Sequence, residues 1–307
     1  MSAGWVAGSV RARTLVRSRM DAGVARRLAA CGSLTDALHL LAATPYGANI
    51  RRDQALAAAQ HEVADSLLWD LRVLAGWLPR DGVRLLRTLG GWFEIANVDE
   101  LLQSIAGRPA GPEFRLGALA TAWPRLAQAA STGELRAALA ASAWQDPGQP
   151  TPRAIRLGMR ARWAARIAEL GEPARTWAAG AAALLVAGER FASGRPAEPA
   201  VMDGALRLLG PAAARAATPG ELAGSVPVRA RWVLTGITTP AGLWRAETAL
   251  MAGVERDGLR LLRAPGLESG TVLGAVAVMA CHAWRIRAAL ELAARGGTPA
   301  EAYDELG

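Results

Sequence analysis

Residues 63–78 read VADSLLWDLRVLAGWL, and this stretch decides the class of fold. Its apolar residues recur every three or four positions, at Val63, Leu67, Leu71, Leu74 and Leu78. This spacing places them in one stripe along a helix, with the polar residues between them off the stripe. Pro79 and Gly82 then break the pattern. The stretch therefore predicts one long amphipathic helix with a single face against a core.

The same helical spacing returns at three other places along the chain. It is found at Ile155, Met159, Trp163, Ile167 and Leu170, at Leu243, Leu250 and Val254, and at Trp284, Ile286, Leu290 and Ala293. Apolar runs at 177–188 and 271–281 are shorter than the roughly 20 residues that cross a bilayer, so they predict buried core helices. Residues 225–236 are the only strand-like stretch, and Pro227 argues against a central strand there. The predicted fold class is all-α.

Composition supports the same class of fold. Ala and Leu, which favour helices, are abundant, whereas the 307 residues include only three Phe and two Tyr. Trp69, Trp77 and Trp92 lie near apolar stripes or helix ends, which predicts that they pack in the core. Cys31 and Cys281 belong to no paired-cysteine motif, so we expect a reducing compartment and no disulfide.

Every one of the 35 basic residues is Arg, and against 27 acidic residues they give a formal net charge of +8. A basic surface for nucleic acid or anionic lipid is one interpretation. A GC-rich genome, which replaces Lys codons with Arg codons, is the other. The Arg residues are spread along the chain and form no block, which favours the second interpretation. Adjacent Arg and Trp residues fit either nucleic-acid binding or anchors of a protein interface.

Internal repetition indicates how the chain is organised. Residues 106–112, AGRPAGP, match residues 193–199, SGRPAEP, at an offset of 87. The same register pairs residues 117–119 with 204–206, and residues 133–135 with 220–222. A looser similarity joins residues 35–38 to 132–135, and residues 80–87 to 256–263. We predict three related helical modules, at residues 1–112, 113–199 and 200–307, and stacked modules of this kind usually hold partners.

One helix start is predicted from side-chain chemistry. Asn97 precedes the run Val-Asp-Glu-Leu-Leu and is a favoured N-cap, with Glu100 at the third helical position as in a capping box. Gly107 is predicted to end this helix. On this interpretation, Asn97→Ala would cost about 1 kcal/mol of stability through the lost cap.

Local motifs of catalysis and cofactor binding are missing from the sequence. A phosphate-binding loop with its Lys is impossible without Lys, and no dinucleotide fingerprint or His-Glu-x-x-His metal motif occurs. His39, His61 and His282 are far apart, and Cys281 and His282 are adjacent, so that on a helix they would not face each other. We predict no catalytic, cofactor-binding or metal-binding residue. An all-α enzyme whose site is assembled from distant segments remains an alternative.

Three stretches together resemble one family. They are Arg11, Arg13, Leu15 and Leu41 with Thr44-Pro45-Tyr46; the run WFEIANVDELL at residues 92–102; and WRIRAAL at residues 284–290, followed by Thr298-Pro-Ala-Glu301. They are similar to the C subunit of V/A-type rotary ATPases, the family that includes eukaryotic subunit d. The residues that carry this signature are Thr44, Pro45, Tyr46, Asn97, Glu100, Arg285 and Arg287.

The resemblance implies a funnel-shaped subunit with pseudo-threefold modules and no catalytic residue or cofactor. Such a subunit belongs to the central rotor of an ATPase that moves protons or sodium ions. Its partners are the axle subunits of the soluble head and the proteolipid ring in the membrane. It is cytoplasmic, peripheral on the inner face of the cell membrane, and binds no nucleic acid. The alternatives are an all-α repeat scaffold and a basic nucleic-acid-binding protein.

Overall fold

The computed structural model describes residues 3–19, 23–194 and 198–297. The α-helices of these residues are α1 (Ala3–Arg19), α2 (Val24–Ala29), α3 (Leu34–Ala42), α4 (Leu56–Ala75), α5 (Arg80–Leu89), α6 (Gly91–Ile105), α7 (Trp123–Leu126), α8 (Thr132–Ala140), α9 (Pro152–Ala168), α10 (Ala174–Ala187), α11 (Pro199–Leu209), α12 (Pro211–Arg215), α13 (Pro219–Ser225), α14 (Leu243–Arg263) and α15 (Ser269–Ala294). Short 3₁₀ turns lie at Gly47–Asn49, Gly117–Leu119, Val228–Leu234 and Pro240–Gly242, and a π turn at Gly188–Ala192.

The all-α prediction is confirmed, since the described residues include no strand. Four of the five stripe residues that opened the sequence analysis, Val63, Leu67, Leu71 and Leu74, are buried on α4. The helix ends at Ala75, ahead of Pro79, and Gly82 lies inside the next helix rather than at a break. The strand-like stretch folds as the 3₁₀ turn Val228–Leu234.

The predicted cap at Asn97 is wrong. Helix α6 begins at Gly91, so Asn97 lies in its interior, where the side chain is 1% exposed. The apolar residues Phe93 and Ile95 are themselves buried on this helix and extend it toward the N-terminus. Gly107 does end the helix as predicted. Its φ of +69° lies in the left-handed region that glycine adopts without strain, and its N–H bonds the carbonyl of Ser104.

Contacts within the chain define two compact units. The first consists of residues 1–84 and 254–307. Its central element is α15, which packs against α1, α2, α3 and α4. Gly258 of α14 and Gly274 of α15 meet without side chains between them. A Cβ on Gly274 would lie 2.6 Å from the Gly258 carbonyl oxygen, which only a closely packed pair of helices produces.

The second unit comprises residues 85–253. Helices α9, α10 and α11 pack against one another, and α6 packs against α9. One core cluster joins α6, α8 and α9, and its buried members include Val98, Leu102, Leu139, Trp144 and Ile155. The second stripe of the sequence analysis, at Ile155, Met159 and Ile167, is buried here.

Both long apolar runs are buried helices, as predicted. Residues 177–187 lie on α10 and residues 271–281 on α15. By length and composition α15 is the one helix of the described residues that could cross a membrane, and 72% of its most apolar window is buried inside the protein.

The three-module division of the sequence remains a prediction. Both of its boundaries, after residues 112 and 199, fall inside the second unit. Residues 195–197 of the repeat lie outside the described residues, as does the predicted tail motif Thr298–Glu301.

Candidate functional site

Three polar side chains of α6 hold the backbone of the segment that returns beside it. Glu94, Asn97 and Glu100 are spaced three residues apart, which places them along one side of the helix. Their partners lie in residues 111–122 and run in the opposite direction along α6. We call these three side chains and residues 111–122 the α6 clamp.

Glu94 is the most deeply buried member of the clamp, at 1% exposed. Its Oε2 accepts the Thr121 N–H at 2.6 Å, and its Oε1 accepts the Ala122 N–H at 2.8 Å. The indole Nε1 of Trp144 donates to the same Oε1 at 2.8 Å. The Arg166 guanidinium lies 5.2 Å from the Trp144 ring centroid, and burial lowers its pKa while the charge of Glu94 opposes that shift. Both carboxylate oxygens are thus engaged by donors.

Asn97 exchanges two hydrogen bonds with the backbone of one residue. Its Nδ2 donates to the Phe114 carbonyl at 2.9 Å, and its Oδ1 accepts the Phe114 N–H at 2.7 Å. The Phe114 ring packs edge-on against Phe93, with centroids 5.1 Å apart. Glu100 ends the clamp at the more exposed side, where its Oε2 accepts the Gly111 N–H at 2.6 Å. The signature at residues 92–102 is therefore a structural clamp in this fold.

Asn97→Ala is expected to lower the free energy of unfolding by about 2 kcal/mol, rather than the 1 kcal/mol of a lost cap. The alanine removes both hydrogen bonds that Asn97 makes to the Phe114 backbone, and each buried group that loses its bond costs roughly 1–3 kcal/mol. Urea denaturation followed by circular dichroism measures the change. Asn49→Ala is the matched control, because it makes the same chemical change at an exposed position and is expected to cost less than about 0.5 kcal/mol. Equal losses for the two variants would contradict the two-bond geometry.

A second group of buried polar contacts lies in the first unit and involves three signature residues, Thr44, Pro45 and Tyr46. Thr44 Oγ1 donates to the Leu41 carbonyl and accepts the Tyr46 N–H. Tyr46 is 3% exposed, and its hydroxyl lies 3.0 Å from His282 Nδ1 on α15. Pro45 contributes its carbonyl, which accepts from Arg19 Nη1 at 3.0 Å. The turn at 44–46 is thereby held against the helices around it.

Arg19 of α1 is the centre of this second cluster. Its guanidinium lies 4.6 Å from the Tyr46 ring centroid and donates to Ser66 Oγ at 2.6 Å. Its Nε pairs with Asp70 Oδ2 at 2.8 Å, and the two side chains are only 10% and 7% exposed. Burial raises the pKa of Asp70, while the charges of Arg19 and Arg11 act in the opposite direction. We call Arg19, Tyr46, Ser66, Asp70 and His282 the Tyr46 cluster.

Tyr46 and Trp144 follow the same local structure. Ser33 caps α3 by accepting the Asp36 N–H, and Ser131 caps α8 by accepting the Glu134 N–H. Both helices are nine residues long. Each is followed by a hydroxyl residue that bonds back to the helix and accepts the N–H of the buried aromatic residue two positions on: Thr44 before Tyr46, and Ser142 before Trp144. An Arg then covers each ring.

A third, shorter version of this structure begins at Thr218. Its Oγ1 accepts the Glu221 N–H and so caps α13, and Ser225 Oγ donates back to the Leu222 carbonyl. The offset of 87 between residues 133–135 and 220–222 is thus the offset between Glu134 and Glu221, two equivalent cap positions. The looser match at residues 35–38 needs a shift of one residue, because Asp36 and not Ala37 is the structural equivalent of Glu134. The Ser-x-x-Asp and Ser-x-x-Glu pattern could have located these caps from sequence.

The last two signature residues lie on α15 and differ in their environment. Arg285 forms a two-pronged ion pair with Glu255, at 2.6 Å for both nitrogen–oxygen pairs. Arg287 has a buried Nε with no hydrogen-bond partner in the part of the chain that the structure describes, and burial lowers its pKa. The structure does not bring all seven signature residues together. Tyr46 belongs to the Tyr46 cluster, and Thr44 and Pro45 lie in the turn bonded to it. Asn97 and Glu100 belong to the clamp.

The carboxylates of Glu94 and Asp70, one in each cluster, are buried and bonded to donors. Within residues 3–19, 23–194 and 198–297, no group of three or more His, Cys, Asp or Glu side chains could hold a metal ion. Cys281 is fully buried, and burial raises the pKa of its thiol to about 12, so it is not a ready nucleophile. In both clusters, polar side chains hold backbone N–H and carbonyl groups in place.

Comparison of the whole chain with known proteins found no matching protein-family model and no matching curated protein.

Proposed function

We propose that this protein is a non-catalytic coupling subunit in the central rotor of a V/A-type rotary ATPase. In this role it links the axle of the soluble head to the proteolipid ring in the membrane, and so supports proton or sodium transport. Its place is cytoplasmic, peripheral on the inner face of the cell membrane. The three-module, funnel-like arrangement with boundaries after residues 112 and 199 is part of the same proposal.

The observation that carries the proposal is the recurrence of one local structure at Ser33–Tyr46 and Ser131–Trp144, with a shorter form at Thr218–Ser225. Repeated helical units with the same caps and the same buried anchor are expected of a protein built by repetition of one module. This supports the repeat plan that the sequence resemblance implies.

The two polar clusters support a mechanical role. Both fix loop backbone to helices through buried, charge-assisted hydrogen bonds, which are stronger than neutral ones. A coupling part must transmit torque without deforming, and closely packed interiors transmit strain. The signature residues of the clamp and of the Tyr46 cluster thus contribute stiffness, and none is needed for a chemical step.

An exposed face on α4 supports binding to another protein. Trp69 is 58% exposed and Trp77, just beyond the helix end, is 52% exposed, so the prediction that both pack in the core is wrong. Arg72 lies 5.6 Å from the Trp69 ring centroid. Trp and Arg are the residues most enriched in the anchors of protein interfaces. Trp244 of α14 is exposed as well, and Arg245 lies 4.8 Å from its ring centroid.

The test is co-purification from solubilised membranes of the source cells, with the tagged full-length chain as bait. We expect the axle subunits and the proteolipid to be recovered together. Trp69→Ala with Trp77→Ala is expected to lower their recovery about tenfold or more without changing the melting temperature, since exposed side chains contribute little to folding. Trp244→Ala, which removes an exposed Trp with an Arg beside its ring on a different helix, is the control and should leave recovery unchanged. Recovery of neither partner with the unsubstituted chain would contradict the proposal.

The net charge of +8 favours one other candidate, a nucleic-acid-binding protein. Such a protein would bind DNA or RNA with an affinity that falls steeply as salt rises. A fluorescence-anisotropy titration with labelled DNA and RNA at two salt concentrations separates the two candidates, because a coupling subunit predicts no specific binding at physiological salt.

A further inference from the structure

A cleft of about 520 Å³ opens in the first unit, and no residue of the Tyr46 cluster lines it. Its walls are the last turns of α1 and α14 and the loop that follows α14. Its lining is Arg13, Val16, Arg17, Leu262, Arg263, Ala264, Pro265, Gly266 and Leu267. The cleft thus combines three arginines with apolar side chains, and no acidic residue lines it.

Two of the three arginines are available to a ligand. Arg17 and Arg263 are exposed, and within the described part of the chain neither forms an ion pair or a hydrogen bond through its guanidinium. Other exposed arginines, such as Arg84 and Arg260, are paired with an Asp three residues away on the same helix. Three positive charges with no balancing carboxylate in one concave site favour an anion.

The third arginine fixes the shape of the cleft. Arg13 Nη2 donates to the Ala264 carbonyl at 3.3 Å and to the Gly266 carbonyl at 3.1 Å. The Gly266 carbonyl also accepts from Thr271 Oγ1 at 3.2 Å, which ties the loop to the start of α15. Arg13 Nε is buried and has no acceptor among the described residues. The loop is therefore held in place before any ligand arrives.

We propose that this cleft binds a phosphate monoester group. Guanidinium groups match the oxygens of phosphate in pairs, and a doubly charged group balances three arginines better than a single carboxylate does. The apolar side chains of Val16, Leu262 and Leu267 beside them fit a ligand that carries an uncharged portion next to its phosphate. The phosphate is carried either by a lipid headgroup or by a soluble molecule, and the experiment distinguishes these sources.

The test compares two double variants of the full chain that remove the same charge. Arg17→Gln with Arg263→Gln changes the cleft. Arg52→Gln with Arg80→Gln removes two other exposed arginines of the same unit, outside the cleft lining. Isothermal titration with phenyl phosphate, a soluble phosphate monoester with an uncharged portion, measures binding of the soluble group. Sedimentation with phosphatidylcholine vesicles, with and without phosphatidic acid, measures binding of the lipid-borne group, and melting temperatures check that each variant folds.

We expect the cleft variant to weaken binding about tenfold or more and the control variant to change it less than about twofold. Binding to phenyl phosphate alone assigns the cleft to a soluble phosphate monoester. Additional binding to phosphatidic acid vesicles, lost in the cleft variant, assigns it to a headgroup. Equal weakening in both variants would overturn the proposal, because it would reflect net charge alone. No binding of either probe by the unsubstituted chain would also overturn it.

Discussion

Glu94→Gln is expected to lower the free energy of unfolding by about 3 kcal/mol, although it changes only one atom of the side chain. The carboxylate accepts three N–H groups, from Thr121, Ala122 and Trp144, at 2.6–2.8 Å in a site that is 1% exposed. A glutamine has one acceptor oxygen, so its amide N–H₂ faces at least one of these donors. Each buried donor left without an acceptor costs roughly 1–3 kcal/mol, and the charge that strengthened the other bonds is lost.

The matched control for this substitution lies on the same helix. Glu100→Gln makes the same chemical change two turns later, where the carboxylate accepts only the Gly111 N–H in a more exposed position. We expect it to cost less than about 1 kcal/mol, as hydrogen bonds open to water do. Urea denaturation of both variants under the same conditions provides the comparison. Equal losses would show that the buried end of the clamp is not the part that holds residues 111–122.

Asp70→Leu is expected to destabilise the protein by roughly 3–5 kcal/mol, because it leaves the buried guanidinium of Arg19 without its counter-charge. The ion pair is 2.8 Å long with both side chains at most 10% exposed, so water cannot replace the lost carboxylate. Denaturation monitored by circular dichroism measures the loss. The turn at residues 44–46 is expected to become less ordered as well, since Arg19 also contacts Pro45, Tyr46 and Ser66.

The double substitution Arg19→Met with Asp70→Leu separates the cost of an uncompensated charge from the worth of the pair. Replacing a buried ion pair by apolar side chains of similar volume is often close to neutral, whereas breaking it is not. We therefore expect the double variant to be more stable than Asp70→Leu alone. The single variant Arg19→Met completes the comparison. If the losses of Arg19→Met and Asp70→Leu simply added in the double variant, the charge of Arg19 would not be the source of the destabilisation.

The helices of this protein could be predicted wherever an apolar stripe recurs over several turns. The stripe from Val63 to Leu74 and that from Ile155 to Ile167 are both buried as expected, because the helical period alone determines which face meets the core. Asn97 shows the limit of local signals. Asn followed by Glu three residues later matches a capping box, yet Phe93 and Ile95 pack on the same helix and carry it six residues further back, so tertiary packing outweighs the local pattern.

The polar partners in the two clusters could not be predicted from sequence spacing. Tyr46 and His282 are 236 residues apart, and Glu94 and Trp144 are 50 apart, so only the packed helices bring them together. The caps at Ser33, Ser131 and Thr218 are different, because their Ser/Thr-x-x-Asp/Glu pattern is local and visible in the sequence. The bonds that Thr44, Asn97 and Glu100 make to backbone groups likewise needed the structure.

The most direct measurement of the proposed function is ion pumping in membranes from source cells whose gene for this chain has been deleted. If the chain is the coupling subunit, ATP hydrolysis by the head continues while ATP-driven proton or sodium uptake into membrane vesicles is lost. Adding the purified chain is predicted to restore uptake, whereas the destabilised Glu94→Gln variant, added above its melting temperature, should not. Uptake that is unchanged by the deletion would contradict a coupling role for this protein.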